Sequence, residues 1–279
     1  MILVTGATGN AGRAVVGALA EAGEPVRALV RREADLPAEL ATGDLNDPAS
    51  VAAALEGVRG VFLLSGYDNM AATLAEIAKA GVERVVLLSA SAAETGNPAN
   101  AVSRYHIESE AMVRESGVPW TILRPRTFFA NTFRWLDQLR AGDVVKDAFP
   151  DVRVAAIDPL DIGAVAATAF LTDGHEGQVY PLTGPQSLLP ADRVRLLGEA
   201  LGRDLTFVGL SDEEARAQMS AAMPQMYVDA FFDFFAEGNL DESPVLPTVE
   251  QVTGRPPRLF AEWGRGQRRR LRPDGRLDE

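Results

Sequence analysis

Cysteine is absent from this 279-residue sequence, and histidine occurs only as His106 and His175. The lack of cysteine excludes disulfides, thiolate metal sites and cysteine nucleophiles, and two histidines are too few to favour a histidine-based metal site. No apolar stretch is long enough to cross a bilayer. Because Met1 leads directly into a predicted strand, we expect no signal peptide, and we expect a cytoplasmic protein without a membrane partner.

Basic residues are also few relative to acidic ones. The sequence has 27 lysines and arginines against 39 aspartates and glutamates, which gives a formal net charge of −12. A chain this acidic repels the phosphate backbone of nucleic acids, so we expect no nucleic-acid partner. The 47% hydrophobic and 24% charged content is that of an ordinary soluble enzyme. We expect a small-molecule substrate and a monomer or homodimer.

The first dozen residues contain the most informative pattern. A short apolar run, Ile2–Val4, is followed by Gly6, Gly9 and Gly12 and then by a helical pattern. Gly6 allows a tight turn, Gly9 lets the backbone approach a pyrophosphate, and Gly12 lets the helix pack closely on the strand. The helix N-terminus offers unpaired N–H groups to phosphates. The pattern therefore predicts a phosphate-binding loop of the dinucleotide type.

Strands and helices alternate along the chain with short connections, which is typical of a parallel sheet covered on both faces. The predicted fold is α/β, a Rossmann-type doubly wound parallel sheet with a small C-terminal α/β substrate lobe. We place the Rossmann domain at 1–123, completed by strands from the C-terminal half, and the substrate lobe at 124–263. Residues 264–279 are interpreted as a basic, disordered tail. The predicted strands are Ile2–Val4, Val26–Val30, Glu39–Thr42, Gly60–Leu64, Arg84–Leu88, Trp120–Leu123, Asp151–Ile157 and Gln178–Leu182.

The stretch VTGATGNAGRAVV at the N-terminus resembles the NmrA-like branch of the atypical short-chain dehydrogenases. The segments RYHIESEAMVRESGVPWTILRP (104–125) and DPLDIGAVAATAF (158–170) extend the resemblance over nearly the whole chain. That branch includes NAD(P)H quinone reductases, isoflavone-type reductases and non-catalytic redox sensors. The resemblance implies a bound NAD(P) cofactor.

Arg31 decides which cofactor is expected. An acidic residue at the end of the second strand binds the adenosine ribose of NAD, whereas arginine favours the 2′-phosphate of NADP. We therefore expect NADP, with NAD as the alternative if Arg31 is only solvated. The resemblance also implies that Asp44 and Leu45 lie under the adenine, although Asp44 could instead bond its own backbone in a turn.

Ligands of a doubly wound sheet bind beyond the carboxyl ends of the strands, which places Leu64, Ser65, Gly66 and Ser89 in the cofactor groove. The resemblance adds the backbone of Pro125 beside the nicotinamide. The expected cofactor-binding residues are Gly6, Thr8, Gly9, Asn10, Ala11, Gly12, Arg31, Asp44, Leu45, Leu64, Ser65, Gly66, Ser89 and Pro125.

The catalytic candidates are Ser91, Tyr105 and His106. Related dehydrogenases use Tyr-x-x-x-Lys, in which the lysine lowers the tyrosine pKa for proton donation. Here Ser109 stands four residues after Tyr105, so the dyad is absent. Isoflavone-type relatives carry a lysine near the start of this helix, and His106 takes its place. His106 either donates a proton or only walls the cofactor. Ser91 lies where the related enzymes carry their catalytic hydroxyl, although a serine at a strand end is often a cap.

Aromatic residues predict the substrate site. Phe128, Phe129 and Asn131 begin the expected lobe, and Phe231 belongs to a later aromatic helix that could wall a cleft or only fill the core. The predicted function is NAD(P)H-dependent hydride transfer to a quinone or polycyclic aromatic acceptor, because a quinone needs no strong general acid. Two alternatives remain: a redox sensor that binds NAD(P) without turnover, and a reductase whose reduced quinone reacts with oxygen, giving net hydroxylation.

Overall fold

A computed structural model describes residues 1–271. Its strands are β1 (Ile2–Val4), β2 (Val26–Val30), β3 (Glu39–Thr42), β4 (Gly60–Leu64), β5 (Arg84–Leu88), β6 (Trp120–Pro125), β7 (Val144–Asp147), β8 (Gln178–Leu182) and β9 (Thr206–Gly209). Seven of them form one parallel sheet in the order β3-β2-β1-β4-β5-β6-β8, and β7 pairs with β9 in a small second sheet. The first six positions follow the Rossmann strand order, so the predicted fold class is confirmed.

Helices cover both faces of the large sheet. They are α1 (Asn10–Glu21), α2 (Pro48–Ala53), α3 (Met70–Lys79), α4 (Ala101–Glu115), α5 (Leu136–Ala141), α6 (Pro159–Leu171), α7 (Pro190–Leu201), α8 (Asp212–Ser220), α9 (Gln225–Phe235), α10 (Thr248–Thr253), α11 (Phe260–Gly266) and α12 (Arg268–Leu271). Two 3₁₀ helices cover Ser91–Thr95 and Phe129–Trp135.

The alternation of side chains along each strand builds two cores. In β1, Ile2 belongs to the core beneath α1 and α6, and Leu3 belongs to the core beneath α2 and α3. On the first face Gly163 brings α6 against α1, since a Cβ there would lie 2.6 Å from the carbonyl of Ala14. This close packing fixes α1, and with it the phosphate loop, against the sheet.

A third core lies in the C-terminal half and is built on aromatic side chains. Trp135 and Phe260 are fully buried in it, together with Leu139. These residues come from α5, α11 and the second 3₁₀ helix, so the segment after β6 has a core of its own beside the Rossmann sheet.

The predicted strand over Asp151–Ile157 is wrong. The N–H of Val154 donates to Leu188 O at 3.0 Å, whereas the N–H of Ile157 donates to Thr127 O at 2.9 Å. Because successive N–H groups bond to different segments, no ladder forms, although the alternating sequence is typical of a strand.

The predicted tail also begins too early. Residues from Gly264 to Leu271 belong to α11, α12 and the turn between them, and Leu271 is buried. Residues 272–279, which complete the predicted tail, lie outside the described part of the chain.

Candidate functional site

The phosphate loop joins β1 to α1. Gly6 has a φ of +59°, which a residue with a side chain rarely adopts. A Cβ at Gly12 would lie 2.2 Å from the carbonyl oxygen of Gly6, so the helix can approach the loop only with glycine at this position. Thr8, Gly9 and Asn10 are exposed at the open side of the turn. The sequence interpretation of Gly6 and Gly12 agrees with this geometry.

The beginning of α1 has free hydrogen-bond donors. Gly9 is the N-cap, no side chain caps the helix, and no acidic residue lies in its first turn. The N–H groups of Asn10, Ala11 and Gly12 therefore point out of the helix end with its partial positive charge. A glycine cradle followed by an uncapped helix N-terminus fits a dinucleotide pyrophosphate.

The loop lies at the point where the strand order reverses. Leu64 at the end of β4 reaches Gly6 beyond the end of β1, since a Cβ on Gly6 would lie 2.3 Å from Leu64 Cδ1. Ligands of doubly wound sheets bind in this crevice. Gly6 and Leu64 are thus brought together at the crevice as predicted.

The expected adenine end of the groove contains Arg31, Asp44 and Tyr67 close to one another. Burial and the Asp44 carboxylate raise the pKa of Tyr67, whereas Arg31 acts in the opposite direction, so the three groups lie within electrostatic range. Arg31 is exposed. Asp44 Oδ1 accepts from Asn46 N at 2.9 Å, which is the turn bond of the alternative interpretation. Tyr67 was not predicted as a site residue.

The side chain of Leu45 is almost fully buried. It is 6% exposed and packs in the core beneath α2 and α3. Tyr67 packs against the same core, and the position of Leu45 under the adenine stays a prediction.

Two hydrogen bonds fix the loop after β4, one to the end of β5 and one to α4. Ser65 Oγ donates to Leu88 O at 2.8 Å, and Gly66 N donates to Ser109 Oγ at 3.0 Å. Ser109, which stands where the related enzymes carry lysine, therefore holds the β4 loop.

Ser89 is used in a buried ionic network. Its hydroxyl donates to Glu110 at 2.6 Å, and Glu110 also accepts two bonds from Arg124, at 2.8 and 2.7 Å. Burial raises the pKa of Glu110, but the bonds from Arg124 and Ser89 outweigh it and leave the pKa below its ordinary value. The Ser89 hydroxyl can therefore only accept from a cofactor, and its backbone is also left for contact. Pro125, which follows Arg124, is buried.

Tyr105 and His106 stand side by side near the end of β4. Their ring centroids are 4.2 Å apart, and a Cβ on Gly66 would lie 3.1 Å from the Tyr105 ring. Burial lowers the pKa of His106 to about 4, although Glu110 acts in the opposite direction, and Nδ1 of the ring has no partner. Burial and the nearby Tyr227 raise the pKa of Tyr105. Tyr227 belongs to the same aromatic helix as Phe231 but was not predicted as a site residue.

Ser91 is bound to a residue from the far end of the chain. Its hydroxyl donates to the carboxylate of Glu242, which is 4% exposed. The other carboxylate oxygen accepts from Thr127 Oγ1 at 2.6 Å and from Thr127 N at 3.2 Å. Because the one proton of Ser91 is donated to Glu242, Ser91 can only accept from a ligand. Its role as a catalytic hydroxyl stays a prediction, and within it Ser91 can act only as an acceptor.

The predicted substrate residues separate into two groups. Phe128 is half-buried between the first and third cores, and Asn131 is exposed. Phe231 is half-buried beside Ala90, which precedes Ser91. Phe129, in contrast, is 2% exposed and packs edge-to-face on Phe260 with centroids 5.1 Å apart. The prediction that Phe129 walls the substrate is wrong, because its ring fills the third core.

The chain is similar to known NAD(P)H-binding proteins. The sequence family described as NAD(P)H-binding matches residues 6–170, which include the glycine cradle and the whole of β2 to β6. The chain belongs to this NAD(P)H-binding family. Its cofactor is NAD(P)H, and the resemblance to NmrA-like atypical short-chain dehydrogenases is confirmed.

Relatives of this NAD(P)H-binding chain include named reductases. It is 40% identical to the (4-alkanoyl-5-oxo-2,5-dihydrofuran-3-yl)methyl phosphate reductase of Streptomyces griseus, over 94% of this chain and 96% of that one. It is 38% identical to the NAD(P)H azoreductase of Xenophilus azovorans, over 95% and 97%. The structure of the Escherichia coli NADPH-dependent quinone oxidoreductase complexed with NADPH matches with a TM-score of 0.77 and 25% identity, over 95% and 98%.

These findings make the chain an NAD(P)H-dependent reductase. Within residues 1–271 no helix is long and apolar enough to span a membrane. The same residues contain no group of three or more histidine, aspartate or glutamate side chains able to hold a metal ion.

Proposed function

We propose that this reductase transfers hydride from NADPH to a planar conjugated acceptor of the quinone type. The observation that supports this most is the protonation and hydrogen bonding of the three catalytic candidates. At neutral pH His106 is uncharged, Tyr105 holds its proton more tightly than usual, and Ser91 donates its proton to Glu242. A carbonyl reductase needs a competent acid in this position, whereas a quinone accepts hydride readily and can be protonated by water.

The chain supplies binding and placement for this reaction. The α1 N-terminus holds the pyrophosphate, and Arg31 holds the 2′-phosphate. NADPH supplies the hydride when bound, and water supplies the proton, so the acceptor gains two electrons and two hydrogens. Tyr105 and His106 wall the nicotinamide end with two rings inclined at 41°, which orients the acceptor and excludes water.

The relatives support the same class of acceptor. The azoreductase and the quinone oxidoreductase are named for conjugated acceptors, and the furanone phosphate reductase is named for a conjugated lactone. The furanone phosphate is a second candidate because that relative has 40% identity over nearly the full length of both chains.

Anaerobic NADPH oxidation tests the proposal. The purified protein is mixed with NADPH and a naphthoquinone, an azo dye or the furanone phosphate, without added flavin or metal, and the loss of NADPH absorbance is followed. We expect the naphthoquinone to be reduced fastest. Preferred turnover of the furanone phosphate would overturn the quinone assignment, and binding of NADPH without any turnover would leave the sensor alternative.

A second measurement separates reduction from net hydroxylation. With the naphthoquinone in air, oxygen uptake and the mass of the organic product are recorded beside the anaerobic reaction. We expect the hydroquinone as the anaerobic product. An oxygenated product formed only in air would favour the monooxygenase alternative.

A further inference from the structure

Arg193, near the start of α7, is a buried cation whose Nε has no hydrogen-bond partner among residues 1–271. Its side chain is 4% exposed, and its Nε is fully buried without a hydrogen bond. Within residues 1–271 no carboxylate oxygen lies within 4.0 Å of its nitrogens, and its guanidinium makes no hydrogen bond to them. A guanidinium has five N–H donors and is costly to bury without an acceptor. The site around Arg193 therefore needs an acceptor that the described residues do not provide.

The nearest carboxylates are bonded to other groups. Asp147 accepts from Arg134 at 2.5 Å and from Trp135 Nε1 at 3.1 Å. Glu242 accepts from Ser91 and from Thr127, as described above. Burial and Arg134 lower the pKa of Arg193 to about 10, while Asp147 and Glu242 act in the opposite direction. Arg193 is thus charged at neutral pH, and its charge is not neutralised by contact.

The surroundings of Arg193 have the character of a binding site. The guanidinium lies over the Trp135 ring, 5.7 Å from its centroid. Thr132 stands three residues before Trp135 in the same 3₁₀ helix, so both side chains lie on one face of it. The hydroxyl of Thr132 is buried and also has no partner. The Thr132 hydroxyl therefore lies on the face of this helix against which the Arg193 guanidinium packs. Among residues 1–271 neither the hydroxyl nor Nε of Arg193 has an acceptor.

Glu242 connects this place to the reaction site. It lies within electrostatic range of Arg193 and is bonded to Ser91 and Thr127, which follow β5 and β6. The carboxyl ends of those strands receive the nicotinamide half of the cofactor. An acceptor that begins at the nicotinamide and extends over Glu242 into the lobe would reach Arg193 with its far end.

We propose that Arg193 is an anion-binding residue of the substrate site, which takes a carboxylate or phosphate carried by the acceptor. The planar guanidinium fork matches the two oxygens of either group, and Thr132 can donate a further bond. The proposal rests on the proposed function for the conjugated ring and adds that the ring carries an anionic substituent.

Anion-dependent stability tests the site without any turnover. Melting temperatures are measured in saturating NADP⁺, which fills the phosphate loop, with added inorganic phosphate or acetate at constant ionic strength. The variants are R193M, R193K and R195M, because Arg195 is an exposed arginine of the same helix, paired with Glu199. A ligand that binds only the folded state raises the melting temperature.

We expect phosphate or acetate to stabilise the wild type and R195M but not R193M, with R193K in between. The anion effective at the lower concentration identifies the class of substituent. Equal stabilisation of the wild type and R193M, or none in either, would overturn the proposal. If R193M does not fold, the comparison of R193K with the wild type decides the same question.

Kinetics with a matched pair of acceptors supply the second test. A naphthoquinone carboxylate is compared with its uncharged methyl ester. We expect R193M to raise the KM of the carboxylate by about 10- to 100-fold, the effect of losing a charge-assisted hydrogen-bond pair, and to leave the ester nearly unchanged. R195M should change neither. Equal losses for both acceptors would overturn the anion site, whereas a wild type that reduces neither would count against the quinone proposal and leave the melting experiment to decide.

Discussion

Ser91 and Glu242 are 151 positions apart in the chain and share a buried hydrogen bond at the end of β5. The carboxylate accepts this bond together with two bonds from Thr127. The C-terminal half therefore sets the direction of a hydroxyl that the sequence pattern places at the position of the catalytic hydroxyl in related enzymes.

The first prediction concerns the Ser91 hydroxyl. Because its proton is donated to Glu242, S91A should lower kcat for a naphthoquinone by less than about tenfold, since placement of donor and acceptor remains. Steady-state kinetics under anaerobic conditions provide the measurement. A loss beyond about a hundredfold, the range of general acid catalysis, would return Ser91 to the chemistry.

The second prediction concerns the contribution of Glu242 to stability. E242Q replaces a buried acceptor of three bonds with an amide whose NH₂ group meets donors, so the free energy of unfolding should fall by about 1–3 kcal/mol. Urea unfolding measures this. The control is E237Q, since Glu237 is exposed at the end of the same segment. Equal stability of E242Q and E237Q would contradict the prediction.

His106 should produce a pH dependence of stability. Its pKa is about 4 in the folded chain, against an ordinary value of 6.5. Between these values the unfolded chain binds more protons, so stability rises with pH through this window and is lost as the pH falls. Over this window the free energy of unfolding should change by about 2–4 kcal/mol, and H106Q should remove this change. Thermal unfolding from pH 4 to 7 checks this, and Y105F should keep the slope.

The rate should depend little on His106. A neutral histidine at pH 7 is not poised to donate a proton as an imidazolium, so H106Q should reduce naphthoquinone turnover by about tenfold or less. The profile of kcat against pH should be unchanged near neutrality. Loss of a titration centred near pH 7 in H106Q would show that His106 acts as the acid after all.

The phosphate loop can be tested at Gly9. G9V places a branched side chain on the open side of the loop, where the pyrophosphate must approach, and should abolish NADPH binding while the fold is kept. The control is G17A in the same helix, because a Cβ there meets no atom within 4 Å. Titration followed by NADPH fluorescence and far-UV circular dichroism are the measurements. Unchanged affinity in G9V would refute the cofactor site.

Arg31 should separate the two nicotinamide cofactors. R31A removes a charge-assisted bond to the 2′-phosphate and should weaken NADPH binding by about 1.5–3 kcal/mol, with NADH nearly unaffected. R32A, at the neighbouring exposed arginine, should have a smaller effect. Equal small losses of both cofactors in R31A would instead favour a solvated arginine.

The sequence predicted the parts of the site that depend on local pattern. Gly6, Gly12 and Leu64 lie where strand ends and a glycine repeat place them, because parallel strands carry their ligands at one edge. Tertiary partners were not visible in the same way. The sequence showed neither the Ser91–Glu242 bond nor that Nε of Arg193 has no partner in the described part of the chain.

Adjacent aromatic residues show the same limit. Phe128 and Phe129 have the same chemistry and were assigned together to the substrate, yet only Phe129 is fully buried against Phe260. The choice between them depends on α11, which joins the third core from more than a hundred residues further along. No periodicity near position 128 contains that information.

The position of β8 has a consequence for how the chain is synthesised. Residues 178–182 pair with β6, and the segment between the two strands supplies α5, α6 and β7. During translation β6 therefore stays an open sheet edge until some fifty further residues have left the ribosome, and open edges invite pairing with other chains. A fragment ending at residue 125 should accordingly aggregate, while in one ending after β8 the strand β6 is covered, β8 is the sheet edge as in the full chain, and Glu242 is still missing.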